Sequence, residues 1–237
     1  MKRFIRVAAL LLVACTIALL LVACDDGPTG KAAYDTSATG KGTEVKVLSV
    51  RSEIDSKKVD DFVASEQESD YVLIKVRDYG DIVVVLRRDI APETVKNFKK
   101  LVADGFYSGT VFHRVMENFM IQGGGYALEG DKLIDKDAET IKGEFTENGF
   151  TNNLSHLRGV ISMARVGGQN NSASSQFFIM HATTPSLNEQ YASFGYVLAG
   201  MDVVDAIATC PVDDPSSSSP QPLDPVVIES VTFVQPK

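Results

Sequence analysis

Two stretches of the 237-residue sequence gather the side chains that could do chemistry. They are Phe112–Gly125 (FHRVMENFMIQGGG) and Ile161–His181, which opens ISMAR and closes SSQFFIMH. The first sets one cation, Arg114, and one amide, Gln122, among the hydrophobes Phe119, Met120 and Ile121. The second adds Gln176, Phe177 and Phe178 on a strand-like run. That mixture suits a small apolar pocket with a few fixed hydrogen-bond donors. It does not suit a nucleophile, a metal or a phosphate. Gly123-Gly124-Gly125 lacks the Lys-Ser/Thr of a phosphate loop and reads as a close backbone approach. Asp131, Asp135, Asp137 and Glu139 miss the spacing of a calcium loop and read as solvated. His113, His156 and His181 are too far apart for a zinc motif, and His113 reads as a packed neighbour of Arg114. No G-x-S-x-G elbow surrounds Ser162, Ser174 or Ser175. No metal and no cofactor are expected.

The elements that must position these residues are mostly strands. Tyr71–Val76 and Ile82–Leu86 are β-branched runs split by a turn at Asp78-Tyr79-Gly80-Asp81. Pro92 and Glu93 open a helix whose apolar face is Val95, Phe98, Leu101 and Val102. Phe106–Val111, Arg114–Gln122, Val160–Ala164, Gln176–Met180, Phe194–Leu198 and Val226–Phe233 predict further strands, and Met201–Ala208 a second helix. Leu128–Asn153 reads as a long polar surface loop, and Cys210–Pro225 as a Pro/Ser loop. Val45, Val47 and Val50 predict a short strand. Val59, Phe62 and Val63 recur at i, i+3 and i+4 and predict a helix over Ser56–Glu66. The pattern alone supports one mainly β domain.

The two opening segments resemble the signature regions of the cyclophilin family of peptidyl-prolyl cis-trans isomerases. The likeness runs from about Tyr71 to Phe233 and follows the order of the elements. It implies a closed eight-stranded antiparallel β-barrel capped by two α-helices. It also implies roles: Arg114 as the catalytic cation and Gln122 as the amide that orients it. Phe119, Met120, Phe178 and Leu187 match the family's proline pocket. Ala164, Arg165 and Gln176 match the groove for the backbone N-terminal to proline, and Tyr191 stands where His is common. Each of these apolar residues, read alone, would pass for core, and Arg114 for a surface ion pair. There are departures from the family's wording. Glu117-Asn118 replaces a common Pro-Gly, Arg165 a common Asn, and Ser186 the Trp of many eukaryotic members. Arg165–Ser175 is about two residues longer than in well-known relatives. Weak ciclosporin binding is therefore expected.

The chemistry implied needs no covalent intermediate. Amide rotation faces a barrier of roughly 18–20 kcal/mol set by resonance, and X-Pro exchange takes tens to hundreds of seconds. A catalyst must hold a twisted amide better than a planar one. An apolar pocket desolvates the bond, and a fixed donor stabilises the localised nitrogen lone pair or the rotated carbonyl.

The N-terminus carries a separate signal. Lys2, Arg3 and Arg6 precede the apolar run Val7–Val22, which ends in Leu21-Val22-Ala23-Cys24. That ending resembles the bacterial lipobox. Leu12-Val13-Ala14-Cys15 fits the same wording, but cutting there would strand Ile17–Val22 on the mature protein, so Cys24 is the expected lipidation site. A membrane-spanning anchor is the rival, though a span needs roughly 20 apolar residues. Cys210 then remains alone, without a possible internal disulfide. Net charge is −8. An acidic body argues against nucleic acid as a partner.

These readings give a signal peptide at 1–23, a tether at 24–44, an extension at 45–69 to which the sequence assigns no role (a packing appendage rather than a second functional site), and an isomerase-like domain at 70–235. The expected protein is a monomer, lipid-anchored on the extracytoplasmic side of the cell membrane, acting on proline-containing polypeptides. A non-catalytic proline-binding chaperone or adaptor is the alternative, and an adhesive surface lipoprotein a third reading.

Overall fold

A computed structural model describes residues 50–130, 132–136 and 138–237. The expected signal peptide, Cys24, the tether, Val45 and Val47 lie outside the described residues. Ten strands follow one another among those described. They are β1 (Phe62–Ala64), β2 (Tyr71–Val76), β3 (Gly80–Leu86), β4 (Thr110–Met116) and β5 (Met120–Glu129), then β6 (Lys132–Asp135), β7 (Val160–Met163), β8 (Phe177–Met180), β9 (Ser193–Ala199) and β10 (Val226–Pro236). Helix α1 is Pro92–Ala103 and α2 is Met201–Ala208.

Antiparallel pairing runs β10-β2-β3-β9-β7-β8-β5-β4. β4 then pairs back onto β10 through Phe112↔Val226 and Val111↔Val227, which closes the eight strands into a barrel. Closure leaves no open edge in the ring. β1 joins β10 and β6 joins β5 outside it.

Strand alternation sorts the side chains. Phe177 and Ile179 belong to the interior cluster, whereas Phe178 and Met180 belong to a second apolar cluster on the outer face. Ile121 and Met120 divide the same way on β5. Inside, Phe98 of α1 sits 5.0 Å from Tyr107, 5.1 Å from Phe194 and 5.7 Å, edge-on, from Phe177. Val95 and Val102 of α1 and Val204 and Ile207 of α2 share that interior cluster. A closed barrel admits helical side chains only through its ends, so both helices are caps. The first turn of α1 has a remote cap. The Glu144 carboxylate accepts from the Glu93 N–H at 3.1 Å and the Thr94 N–H at 2.8 Å.

Several expectations are corrected. Val50 lies on a helical turn at 50–53, not a strand. The 56–66 helix is instead a 3-10 turn, Val59–Asp61, followed by β1. The i, i+3, i+4 pattern is real, but the ladder offered by β10 outweighs it for β-forming Phe62 and Val63. The 106–111 strand starts later, at Thr110, and the 114–122 strand is two strands around a turn. That turn is Glu117-Asn118, the pair that departs from the Pro-Gly of the resemblance above. Asn118 takes φ +60°, a left-handed conformation that Asn tolerates better than most residues. The polar 128–153 stretch is not one loop. It contains the β5–β6 hairpin, buried Glu144 and buried Phe145. Among the described residues, no helix is long and apolar enough to cross a membrane.

Candidate functional site

Arg114 owes its direction to an irregularity in β4. Phe112 points inward, and simple alternation would send Arg114 the same way. The β4–β5 register shifts between Phe112↔Gly123 and Arg114↔Gln122, and this bulge turns Arg114 outward. Its guanidinium is then held on three sides. Nε donates to the Ser218 carbonyl at 3.0 Å, Nη1 to Gln122 Oε1 at 3.2 Å and Nη2 to Met116 Sδ at 3.2 Å. Gln122 Nε2 donates in turn to Gln176 Oε1 at 3.0 Å. None of the three acceptors on Arg114 is a carboxylate. Burial lowers the Arg114 pKa, with the Tyr191 hydroxyl as a lesser opposing influence.

All ten predicted pocket residues line one cleft of about 750 Å³. Its floor is Met120 and Phe178, both buried, with Phe119 and Leu187 half-buried beside them. The Phe119 ring centroid is 5.9 Å from the Arg114 guanidinium, so the cation borders the apolar surface directly. Tyr191 stands edge-on to Phe178 at 5.6 Å. Leu187 is carried by the 3-10 turn Pro185–Leu187. Ala164, Arg165 and Gln176 continue the wall into an adjoining groove. The glycine run serves this wall as a close approach. A Cβ at Gly125 would overlap the Gln176 side chain, and one at Gly123 would sit 2.8 Å from the Val111 carbonyl oxygen.

Three contributors were not legible in the sequence. Ser218, Ser219 and Gln221 of the Pro/Ser loop line the cleft, and Ser218 acts through a backbone carbonyl that any residue type could supply. Tyr126 and Leu133 of the β5–β6 hairpin form another side. His156 lies behind Phe178, stacked at 5.9 Å, with Nε2 3.1 Å from Ser162 Oγ and Nδ1 3.1 Å from Asn188 Oδ1. Burial holds its pKa down at about 4. His113 packs edge-on against Tyr126 at 4.6 Å, and burial likewise lowers it to about 4. Both imidazoles are therefore neutral at neutral pH.

Comparisons with known proteins point one way. A family model described as "Cyclophilin type peptidyl-prolyl cis-trans isomerase/CLD" matches residues 71–233. A peptidyl-prolyl cis-trans isomerase of Acinetobacter baylyi is 43% identical over 157 residues, spanning 64% of this chain and 79% of the relative. Peptidyl-prolyl cis-trans isomerase B of Escherichia coli is 40% identical over 163 residues, spanning 65% and 94%. A crystal structure of a Cryptosporidium parvum cyclophilin-type isomerase, obtained in the presence of the dipeptide Ala-Pro, matches with a TM-score of 0.58. Sequence identity there is 30%, over 69% of this chain and 98% of that one.

Proposed function

The chain belongs to the cyclophilin-type peptidyl-prolyl cis-trans isomerase family, and from that premise we propose how its cleft turns X-Pro bonds and where it does so. The reaction itself is the family's: cis-trans isomerisation in proline-containing polypeptides. In this cleft Phe119, Met120, Phe178 and Leu187 receive the proline ring. Removing the amide from water weakens its charge-separated resonance form. Arg114 donates toward the prolyl nitrogen as its lone pair localises on twisting, which stabilises the transition state more than either planar isomer. Gln122 accepts from Nη1 and fixes the guanidinium, and Gln176 fixes Gln122. Ala164, Arg165 and Gln176 hold the backbone on the N-terminal side, and Tyr191 closes the rim. No bond to the protein forms.

One observation carries this assignment: a guanidinium bordering an apolar cleft, clamped by a carbonyl, an amide oxygen and a thioether rather than a carboxylate. Its charge is oriented but not neutralised. The test separates turnover from binding. Arg114→Ala should lose kcat while the dissociation constant of a proline peptide moves only a few-fold. A variant that keeps full turnover would overturn the role of Arg114, and a wild type that binds the peptide without turnover would instead favour a proline-segment-binding chaperone.

The enzyme is proposed to act as a monomer, lipid-anchored through Cys24 on the extracytoplasmic side of the cell membrane, on exported or unfolded chains. The basic start, the apolar run and Leu21-Val22-Ala23-Cys24 support this. Each acyl methylene buried contributes on the order of 0.8 kcal/mol. Labelled palmitate should enter the wild type and not Cys24→Ser, and label retained by that variant contradicts the site. Ciclosporin is proposed to bind weakly, because Ser186 occupies the exposed turn beside Leu187. Nanomolar inhibition would overturn that.

A further inference from the structure

The cleft holds a second cation whose charge the isomerisation leaves unassigned. The whole chain is acidic, at −8, yet the charged side chains lining the cleft are Arg114 and Arg165, with no carboxylate among its described lining residues. Arg165 is built in rather than loose. Its guanidinium lies 4.8 Å from the Tyr191 ring centroid and 5.1 Å from that of Phe145. Phe145 is buried and Tyr191 is itself packed on Phe178, so both rings are fixed. Nε donates to the Gln190 carbonyl at 2.9 Å, and Nη1 reaches the Val166 carbonyl at 3.4 Å. Those contacts set the plane of the fork and leave Nη2 for an outside acceptor. Among the described residues no carboxylate forms an ion pair with it.

Its position gives the charge a use. Arg165 borders both the proline cleft and the adjoining groove, which Gln122, Ala164, Ser174 and Gln176 also line. A polypeptide seated with its proline against Phe178 and its backbone along Ala164 and Gln176 must pass this fork. Lys136, in the same groove, is drawn aside by the Phe106 carbonyl and sits 4.3 Å above that ring. Asp135 is the one carboxylate among the described residues lining the outer groove, and it makes no described ion pair with Arg165. The charge selection therefore belongs to the substrate position beside Arg165, not to the whole groove.

We propose that Arg165 is a specificity-determining residue that selects proline segments bearing an acidic side chain one or two residues before the proline. A planar, pre-oriented guanidinium matches a carboxylate in a way an ammonium does not. This rests on the isomerase reading. The test uses the full chain and three peptides with Glu, Gln or Lys at that position, comparing kcat/KM by exchange spectroscopy. The expected result is Glu over Lys by about tenfold at low salt, as for one partly hydrated charge pair and its repulsive counterpart. At 1 M salt, where the screening length is about 3 Å, the ratio should approach unity. Arg165→Gln should flatten the Glu-to-Lys ratio at low salt, and Arg165→Lys should restore part of it. Equal rates for Glu and Lys in the wild type, or a ratio unchanged in Arg165→Gln, overturn the inference and leave the isomerase standing. No catalysis of any of the three removes both.

Discussion

Arg114 faces Gln122 across the β4–β5 ladder, and its Nη1 donates to the Gln122 side-chain oxygen at 3.2 Å. The pairing exists because a bulge after Phe112 rotates Arg114 out of the barrel interior. Two links then follow in order: Gln176 orients Gln122, and Gln122 orients Arg114 beside Phe119 in the cleft.

That order can be tested by cutting it at successive points. Gln122→Ala should reduce kcat/KM by about tenfold, since it frees the guanidinium without removing it, within the scale of losing one directed hydrogen bond to a charge. Gln176→Ala should cost less, being one step further away. Gln122→Glu keeps the shape but sets a carboxylate against Arg114, and should lose at least as much as the alanine variant. Kinetics on one peptide at one pH distinguish the three.

Glu144 ties the α1 N-terminus to the segment before Phe145. It is buried, and its loss leaves two backbone N–H groups without an acceptor. Glu144→Ala should lower stability by about 1–3 kcal/mol. Glu144→Gln, which keeps one acceptor oxygen, should recover part of that. The urea midpoint measures both.

Acid should unfold the protein through its histidines. His113 and His156 have pKa values of about 4 because burial disfavours the charged ring. In the unfolded chain a histidine titrates near roughly 6.5. Between those values the unfolded chain binds more protons, so stability is full above the upper one and declines as pH falls toward the lower. The gap is worth up to about 3 kcal/mol for each imidazole. Stability measured at several pH values across this window should show the slope, and His156→Gln should remove about half of it, leaving the part due to His113.

The segment before β2 is part of the fold. Phe62 is buried in the outer apolar cluster with Tyr196, Leu198 and Val234, and pairs with Pro236. Phe62→Ala should cost about 3 kcal/mol as a large-to-small core change. Because Phe62 lies outside the cleft, kcat/KM per folded molecule should not change. A fall in turnover without a fall in stability would contradict the packing role.

The barrel strands were legible wherever β-branched runs met turn residues, as at Tyr71–Val76 and Ile82–Leu86. The pocket was legible because Arg114, Phe119, Gln122 and Phe178 are unusual together in one short vocabulary. What failed to show were non-local choices. Glu144 caps a helix 50 residues away, and nothing in its neighbours announces that. Ser218 contributes a carbonyl, so its side-chain type carries no signal. Phe62 and Val63 satisfy helical spacing but take the strand that an exposed ladder on β10 offers. Phe145 gains its importance only once the fold lays Arg165 between it and Tyr191.

The central claim is tested most directly by the exchange rate of a Xaa-Pro peptide, measured with the wild type and with Arg114→Ala at equal folded concentration. The isomerase mechanism predicts clear acceleration by the wild type and a drop of about 10²-fold or more in the variant, the scale seen when one preorganised transition-state donor is removed. A wild type no faster than Arg114→Ala would contradict it.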